Sequence, residues 1–124
     1  MKLEKNLIDL ETAKKLKKLG FNYPTYRAYS LSGKTYCCGD LVDYNHYEDV
    51  LEWISIPSLE DILLFFSKYD FNVFYSSETE GWHMVLVALD DYVIFCKEDP
   101  DRETIICEGV KAIINYEFDN SKTK

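Results

Sequence analysis

Hydrophobic positions recur along this chain with two periods, about three to four residues in some stretches and two in others. In residues 9–21, DLETAKKLKKLGF, Leu10, Ala13, Leu16 and Leu19 fall on one stripe of a helix. Asp9 stands where an N-cap accepts a backbone N–H, and Gly20 where a helix end takes a positive φ. Phe21 is then placed to fold back onto Leu16. Lys14, Lys15, Lys17 and Lys18 fill the last two turns, where cations suit the negative end of the helix dipole. They read as helix chemistry rather than as a DNA-binding patch.

The stretches Tyr23 to Leu31 and Lys34 to Asp43 predict a hairpin around Ser32-Gly33. With a two-residue loop, Tyr29 faces Tyr36, Ala28 faces Cys37, Arg27 faces Cys38 and Tyr26 covers Gly39. The face carrying Tyr26, Ala28, Cys37, Gly39 and Leu41 is then expected to meet the core. The more polar face of Arg27, Tyr29, Tyr36, Cys38 and Asp40 is expected outside. Residues 43–56 lack a clean period, and VLEWISI within and just before their end suits either a short strand or a helical turn.

Pro57-Ser58, with Asp61 three residues on, predicts the start of a second helix. Its apolar face holds Leu59, Ile62, Leu63, Phe66 and Tyr69. Strands follow at 71–77, 82–89 and 92–97, joined by ETEG and by Asp90-Asp91. Trp82 to Leu89 is apolar at almost every position, which predicts burial on both faces. A last helix begins near Asp99-Pro100, with Pro at the N1 position, and presents Ile106, Val110, Ile113 and Ile114 despite an internal Gly109. The predicted fold class is α+β, in the order α-β-β-α-β-β-β-α, a mainly antiparallel sheet packed by helices. Residues 1–118 are expected to form a single domain, and the polar residues 119–124 to fray.

Composition supports an ordered core: 47% of the 124 residues are hydrophobic and 15% aromatic. No apolar run reaches about 18 residues, and the first residues lack a signal-peptide pattern. A cytoplasmic protein without membrane attachment is expected, with its four cysteines reduced. The net charge of −8 is uneven. Residues 1–34 carry eight basic and three acidic side chains, +5, whereas residues 35–108 carry three basic and seventeen acidic ones, −14. Such an acidic middle repels phosphate backbones and argues against nucleic acid as a partner, while suiting a basic protein.

Chemistry-bearing residues concentrate in KTYCCGDLVDYNHYEDV, residues 34–50. On a strand, Cys37 and Cys38 point to opposite faces, and adjacent Cα atoms lie about 3.8 Å apart, too close for a relaxed disulfide. No CxxC pair is present to hold zinc. Asp40, Asp43, Glu48, Asp49 and Glu52 do not follow the spacing of a calcium loop. His83 on its apolar strand reads as a structural histidine. The five glycines are isolated, and no phosphate loop, G-x-S-x-G or H-E-x-x-H motif occurs. No cofactor, metal or catalytic residue is therefore expected. The enzyme alternative is a thiol- or metal-dependent hydrolase using Cys38, His46 and Asp43, with an acidic surround that disfavours the thiolate.

Tyr23, Tyr26, Tyr29, Tyr36, Tyr44 and Tyr47 fall within 25 residues, on and after the hairpin. Tyrosine offers rigid contact area with a polar tip. The expected interaction surface is Tyr29, Tyr36, Tyr44 and Tyr47 with Asp43, Glu48 and Asp49. The expected function is a non-enzymatic protein-interaction module whose partner is a second copy or a basic protein. A homodimer follows if one sheet face lacks a covering helix. A second binding reading is an acidic immunity or anti-defence protein that covers a basic enzyme.

Three stretches, LETAKKLKKLGF, ISIPSLEDILLFF and the Gly81-Trp82 strand start, resemble small uncharacterised proteins of Bacteroides-group gut bacteria and their prophages. The resemblance spans residues 9–97 and rests on capping and packing signals. It implies a compact α+β domain and carries no known activity or catalytic residues. The chain departs from the pattern at Gly109, where the last helix of that family is rich in Ala and Glu.

Overall fold

A computed structural model describes residues 6–47, 52–88 and 92–121, with Cys38 described by its backbone. The chain forms two compact units, Met1–Phe65 and Phe66–Lys124. The first contains α1 (Leu10–Lys18), β1 (Thr25–Ser30), β2 (Thr35–Val42), a 3₁₀ turn (Tyr44–His46), β3 (Trp53–Ile56) and α2 (Leu59–Phe65). The second contains β4 (Asp70–Ser76), β5 (Gly81–Val87), β6 (Val93–Asp99) and α3 (Arg102–Ser121). The fold class is α+β. The strands form two three-stranded antiparallel sheets, β2-β1-β3 and β4-β5-β6, and the ambiguous VLEWISI stretch ends in a strand.

Local signals place the helix ends. Asp9 accepts the Thr12 N–H at 2.8 Å. At the other end Gly20 has φ 94°, and Phe21 N–H and Gly20 N–H return to the Leu16 and Lys17 carbonyls. That pair of hydrogen bonds satisfies carbonyls the helix leaves open, and it seats Phe21 beside Leu16 in the core, both fully buried. Ser58 and Asp61 cap α2 reciprocally, Ser58 N–H to Asp61 Oδ2 at 3.1 Å and Asp61 N–H to Ser58 Oγ at 3.2 Å. α2 stops at Phe65, so Phe66 and Tyr69 are buried outside it, and Leu63 faces solvent.

The hairpin register differs from expectation by one residue. Ser30 N–H donates to the Lys34 carbonyl and Gly33 N–H to the Ser30 carbonyl, with Gly33 at φ 90°. The loop is therefore Leu31-Ser32-Gly33, and the pairs become Tyr29 with Thr35, Ala28 with Tyr36 and Arg27 with Cys37. Since side chains alternate, one extra loop residue turns β2 over. A bulge around Gly39, φ 83°, shifts the register again before Thr25 meets Val42. Of the face expected to meet the core, Ala28 is buried while Tyr26, Cys37, Gly39 and Leu41 are exposed; of the face expected outside, Tyr36 and Asp40 are exposed and Tyr29 is buried.

β1 is covered on both sides. Tyr29 shares a face with Ile54 and Ile56 of β3, and its hydroxyl reaches the Ile8 carbonyl ahead of α1. Ala28 shares the other face with Ser55, which bonds Asn45 of the 3₁₀ turn.

In the second unit α3 lies against the face of β5 that carries Met84. Gly109 makes this possible: a Cβ there would stand 2.2 Å from Met84 Sδ. The glycine that interrupts the helix pattern is thus a seat for a methionine, and α3 runs unbroken to Ser121. Asp101 stands just ahead of it, its carbonyl accepting the Ile105 N–H at 3.2 Å and its Oδ2 accepting from Thr104 Oγ1 at 2.7 Å, so Pro100 lies just outside. β5 is not buried on both faces as its composition suggests. Met84 and Leu86 are buried, while His83, Val85 and Val87 on the opposite side are half-buried. Apolar composition records what could be buried, not whether a layer exists to cover it.

Gly109→Leu is expected to lower stability by about 1–3 kcal/mol through overpacking, in urea or thermal unfolding. Adding Met84→Ala should recover part of that loss. Additive losses in the double variant would contradict the seat.

Candidate functional site

The 3₁₀ turn Tyr44–His46 organises the residues that the sequence singles out in the first unit. Asn45 points inward and is clamped on three sides. Its amide donates to the Phe21 carbonyl at 3.0 Å, its side-chain oxygen accepts Ser55 N–H at 2.8 Å, and its own N–H donates to Ser55 Oγ at 3.2 Å. Tyr44 is buried next to it, 6.3 Å from Trp53 between ring centroids. With the turn held this way, Asp43, His46 and Tyr47 emerge at the surface.

Asp43 Oδ2 lies 2.9 Å from His46 Nδ1, an exposed pair three residues apart. The other carboxylate oxygen, Oδ1, is buried and has no hydrogen-bond partner among the described residues. Beside the turn, Tyr36 from β2 stands edge-on to Trp53 from β3 at 4.9 Å and 84°. The small residues Ala28 and Ser30 of the intervening β1 let these two rings meet over it. Tyr36 remains 47% exposed and Tyr47 54%. Tyr36 and Trp53 thus form an aromatic ledge, and Tyr44, in the turn that carries Asp43 and His46, lies within 6.3 Å of Trp53. Lys17 ties the ledge to α1, donating to Glu52 Oε1 at 3.0 Å and to the Trp53 carbonyl at 3.1 Å.

Of the expected interaction surface, Tyr36 and Tyr47 are exposed, and Asp43 pairs with His46. Tyr29 and Tyr44 are not on the surface; the slipped register and the inward turn bury both. Glu48 and Asp49 lie outside the described residues, as does the turn at Asp90-Asp91. For the hydrolase alternative, Asp43 and His46 meet and the Cys38 side chain is outside the description. Cys37 is exposed. Among the described residues no three His, Cys, Asp or Glu side chains gather as a metal site, and no helix is long and apolar enough to cross a membrane. Sequence reasoning missed Trp53, because its pairing with Tyr36 depends on strands brought together from 17 positions apart in the chain.

Tyr29 performs a structural task. Its hydroxyl donates to the Ile8 carbonyl at 2.7 Å and accepts from Asn6 Nδ2 at 3.1 Å, while Arg27 donates to Asn6 Oδ1. Burial raises the phenol pKa above its ordinary 10.0, with Asp9 pushing the same way and Asn6 and Arg27 opposing. A raised folded pKa means the native state holds the proton more tightly than the unfolded chain. The associated stability is complete below pH 10 and is lost as pH climbs through the folded value. Tyr29→Phe is expected to lower the neutral-pH plateau by about 1–3 kcal/mol, since the Ile8 carbonyl loses its donor. It should also flatten the alkaline decline in a urea-unfolding series from pH 8 to 11; an unchanged slope would contradict this.

Comparison with known proteins finds no matching family model, no matching curated protein and no matching solved structure.

Proposed function

We propose that this chain is a non-enzymatic protein-interaction module whose aromatic ledge receives an arginine-bearing basic segment of a partner protein. The observation that carries this is Tyr36, held edge-on against Trp53 yet half exposed. A ring fixed by its neighbour loses little freedom on binding, which is what an interface anchor requires. Guanidinium groups stack on aromatic faces and pair with carboxylates, so an aromatic and acidic neighbourhood suits arginine better than lysine. Residues 35–56 supply Asp40, Asp43, Glu48, Asp49 and Glu52 and no Lys or Arg, although Lys17 already engages Glu52. The same chemistry serves an acidic immunity protein covering a basic enzyme.

The probe is an arginine-rich peptide titrated into isotopically labelled protein and followed by NMR. Resonances of Tyr36, Asp43, His46, Tyr47 and Trp53 should shift together. Affinity should fall at least about tenfold between 50 and 500 mM salt, and again on Tyr36→Ala. Shifts spread evenly over all acidic residues would reject the ledge.

One observation favours a second reading. The contact of Asp43 with His46 Nδ1 is of the kind that orients a general base. A hydrolase would use it to activate Cys38. In that case Cys38→Ser removes turnover of a thioester or peptide substrate while leaving the peptide titration intact; equal turnover in both proteins would end that reading.

A further inference from the structure

The two sheets have four edge strands among the described residues, and three of them are protected in ways proteins use against unwanted pairing. β2 is broken by the bulge around Gly39 and carries Asp40. β3 has only four residues. β6 bulges where Leu86 and Val87 meet it, and its last residues are Lys97, Glu98 and Asp99. β4 has none of these devices. Its seven residues, DFNVFYS, pair with β5 in seven uninterrupted steps from Asp70 with Val87 to Ser76 with Gly81. It contains no Pro, Gly or Lys, and its one charge is at its first residue. Phe74 and Tyr75, on opposite faces, are 49% and 53% exposed. The strand side away from β5 offers a row of backbone donors and acceptors flanked by apolar side chains with high strand propensity.

We propose that β4 is a self-pairing edge: two copies of the chain join their β4 strands antiparallel about a two-fold axis at Val73. The sequence of β4 is complementary to itself in this register. Phe71 meets the second copy's Tyr75, Asn72 meets Phe74, and Asp70 meets Ser76. The two Asp70 carboxylates then lie six residues apart along the strands, about 20 Å, well beyond the Debye length of about 8 Å at physiological salt. The two three-stranded sheets become one of six strands, and the closed two-fold leaves no new edge to propagate on that side. Asn72, Phe74, His83, Val85 and Cys96 of the half-exposed face would continue across the junction, with Phe74 already stacked on His83 at 5.1 Å and 6°.

A single strand pair falls below the roughly 1,200 Å² of standard interfaces, so the dimer is reversible, in the micromolar range or weaker. Residues 66–124 carry twelve acidic and six basic side chains, −6, so two copies repel at long range. Salt therefore strengthens this association, the opposite of its effect on a basic partner at the ledge. The inference is independent of the ledge, and the sign of the salt effect separates failure of one from failure of the other.

Sedimentation velocity of the full chain from about 1 to 500 µM tests it. The mass should rise from 14.6 kDa toward twice that value, at lower concentration in 500 mM than in 150 mM salt. Asn72→Lys with Phe74→Lys opposes lysines twice across the axis and should raise the dissociation constant at least tenfold. Asn72→Lys with Phe74→Glu sets a lysine against a glutamate at both crossings and should restore the dimer, although Phe74 is equally lost. Melting curves of both double variants report that each folds. A monomer at every concentration, a dimer unaffected by the two lysines, or no difference between the two double variants would overturn the proposal.

Discussion

Gly33 adopts φ 90°, a conformation in which a residue with a Cβ is strained, and the hairpin of the first unit turns on it. Because that residue takes the left-handed position, the loop closes with three residues, Leu31 to Gly33, and the side chains of β2 ahead of the bulge, Thr35 to Cys37, change face relative to a two-residue loop. Tyr36 then lies over Ala28 and reaches Trp53. Thr35 falls beside Tyr29, where Asn6 bonds both hydroxyls at 3.1 Å. The anchor of the aromatic ledge and the seal over Tyr29 are two faces of one choice of register.

The 3₁₀ turn couples that sheet to its surface. A buried asparagine costs free energy unless its amide is satisfied, and Asn45 is satisfied by Phe21 and Ser55, which come from the end of α1 and from β3. The same hydrogen bonds that make Asn45 tolerable in the interior fix the turn. Three residues of helical rise then separate the buried side from Asp43, His46 and Tyr47 at the surface. Asp43 and His46 thus stand on a supported turn and not on a free loop.

The second unit is built on a different constraint. α3 approaches β5 closely because Gly109 leaves room for Met84, and the helix covers one face of a three-stranded sheet. Only the covered face is closed. The opposite side keeps His83 in contact with Phe74 and Thr79 and leaves strand β4 with a plain edge. A sheet covered on one side has apolar residues on the other whenever its sequence was not written as strict alternation.

Much of this architecture was legible in the linear order of residues. Asp9, Gly20 with Phe21, and Ser58 with Asp61 act within four or five residues of themselves, so cap and stop are written where they operate. The strands of 70–76 and 81–87 followed from apolar runs bounded by turn residues, and the acidic character of residues 35–56 from simple counting. Register, face and exposure were decided by the tertiary structure. Whether Tyr29 or Tyr36 is outside depends on one loop residue, whether Val85 is covered depends on how many layers assemble, and Trp53 gains its meaning from a strand 17 positions earlier. Contacts closed by distant segments have no signature in any one stretch, because the free energy that selects them belongs to the assembled pair.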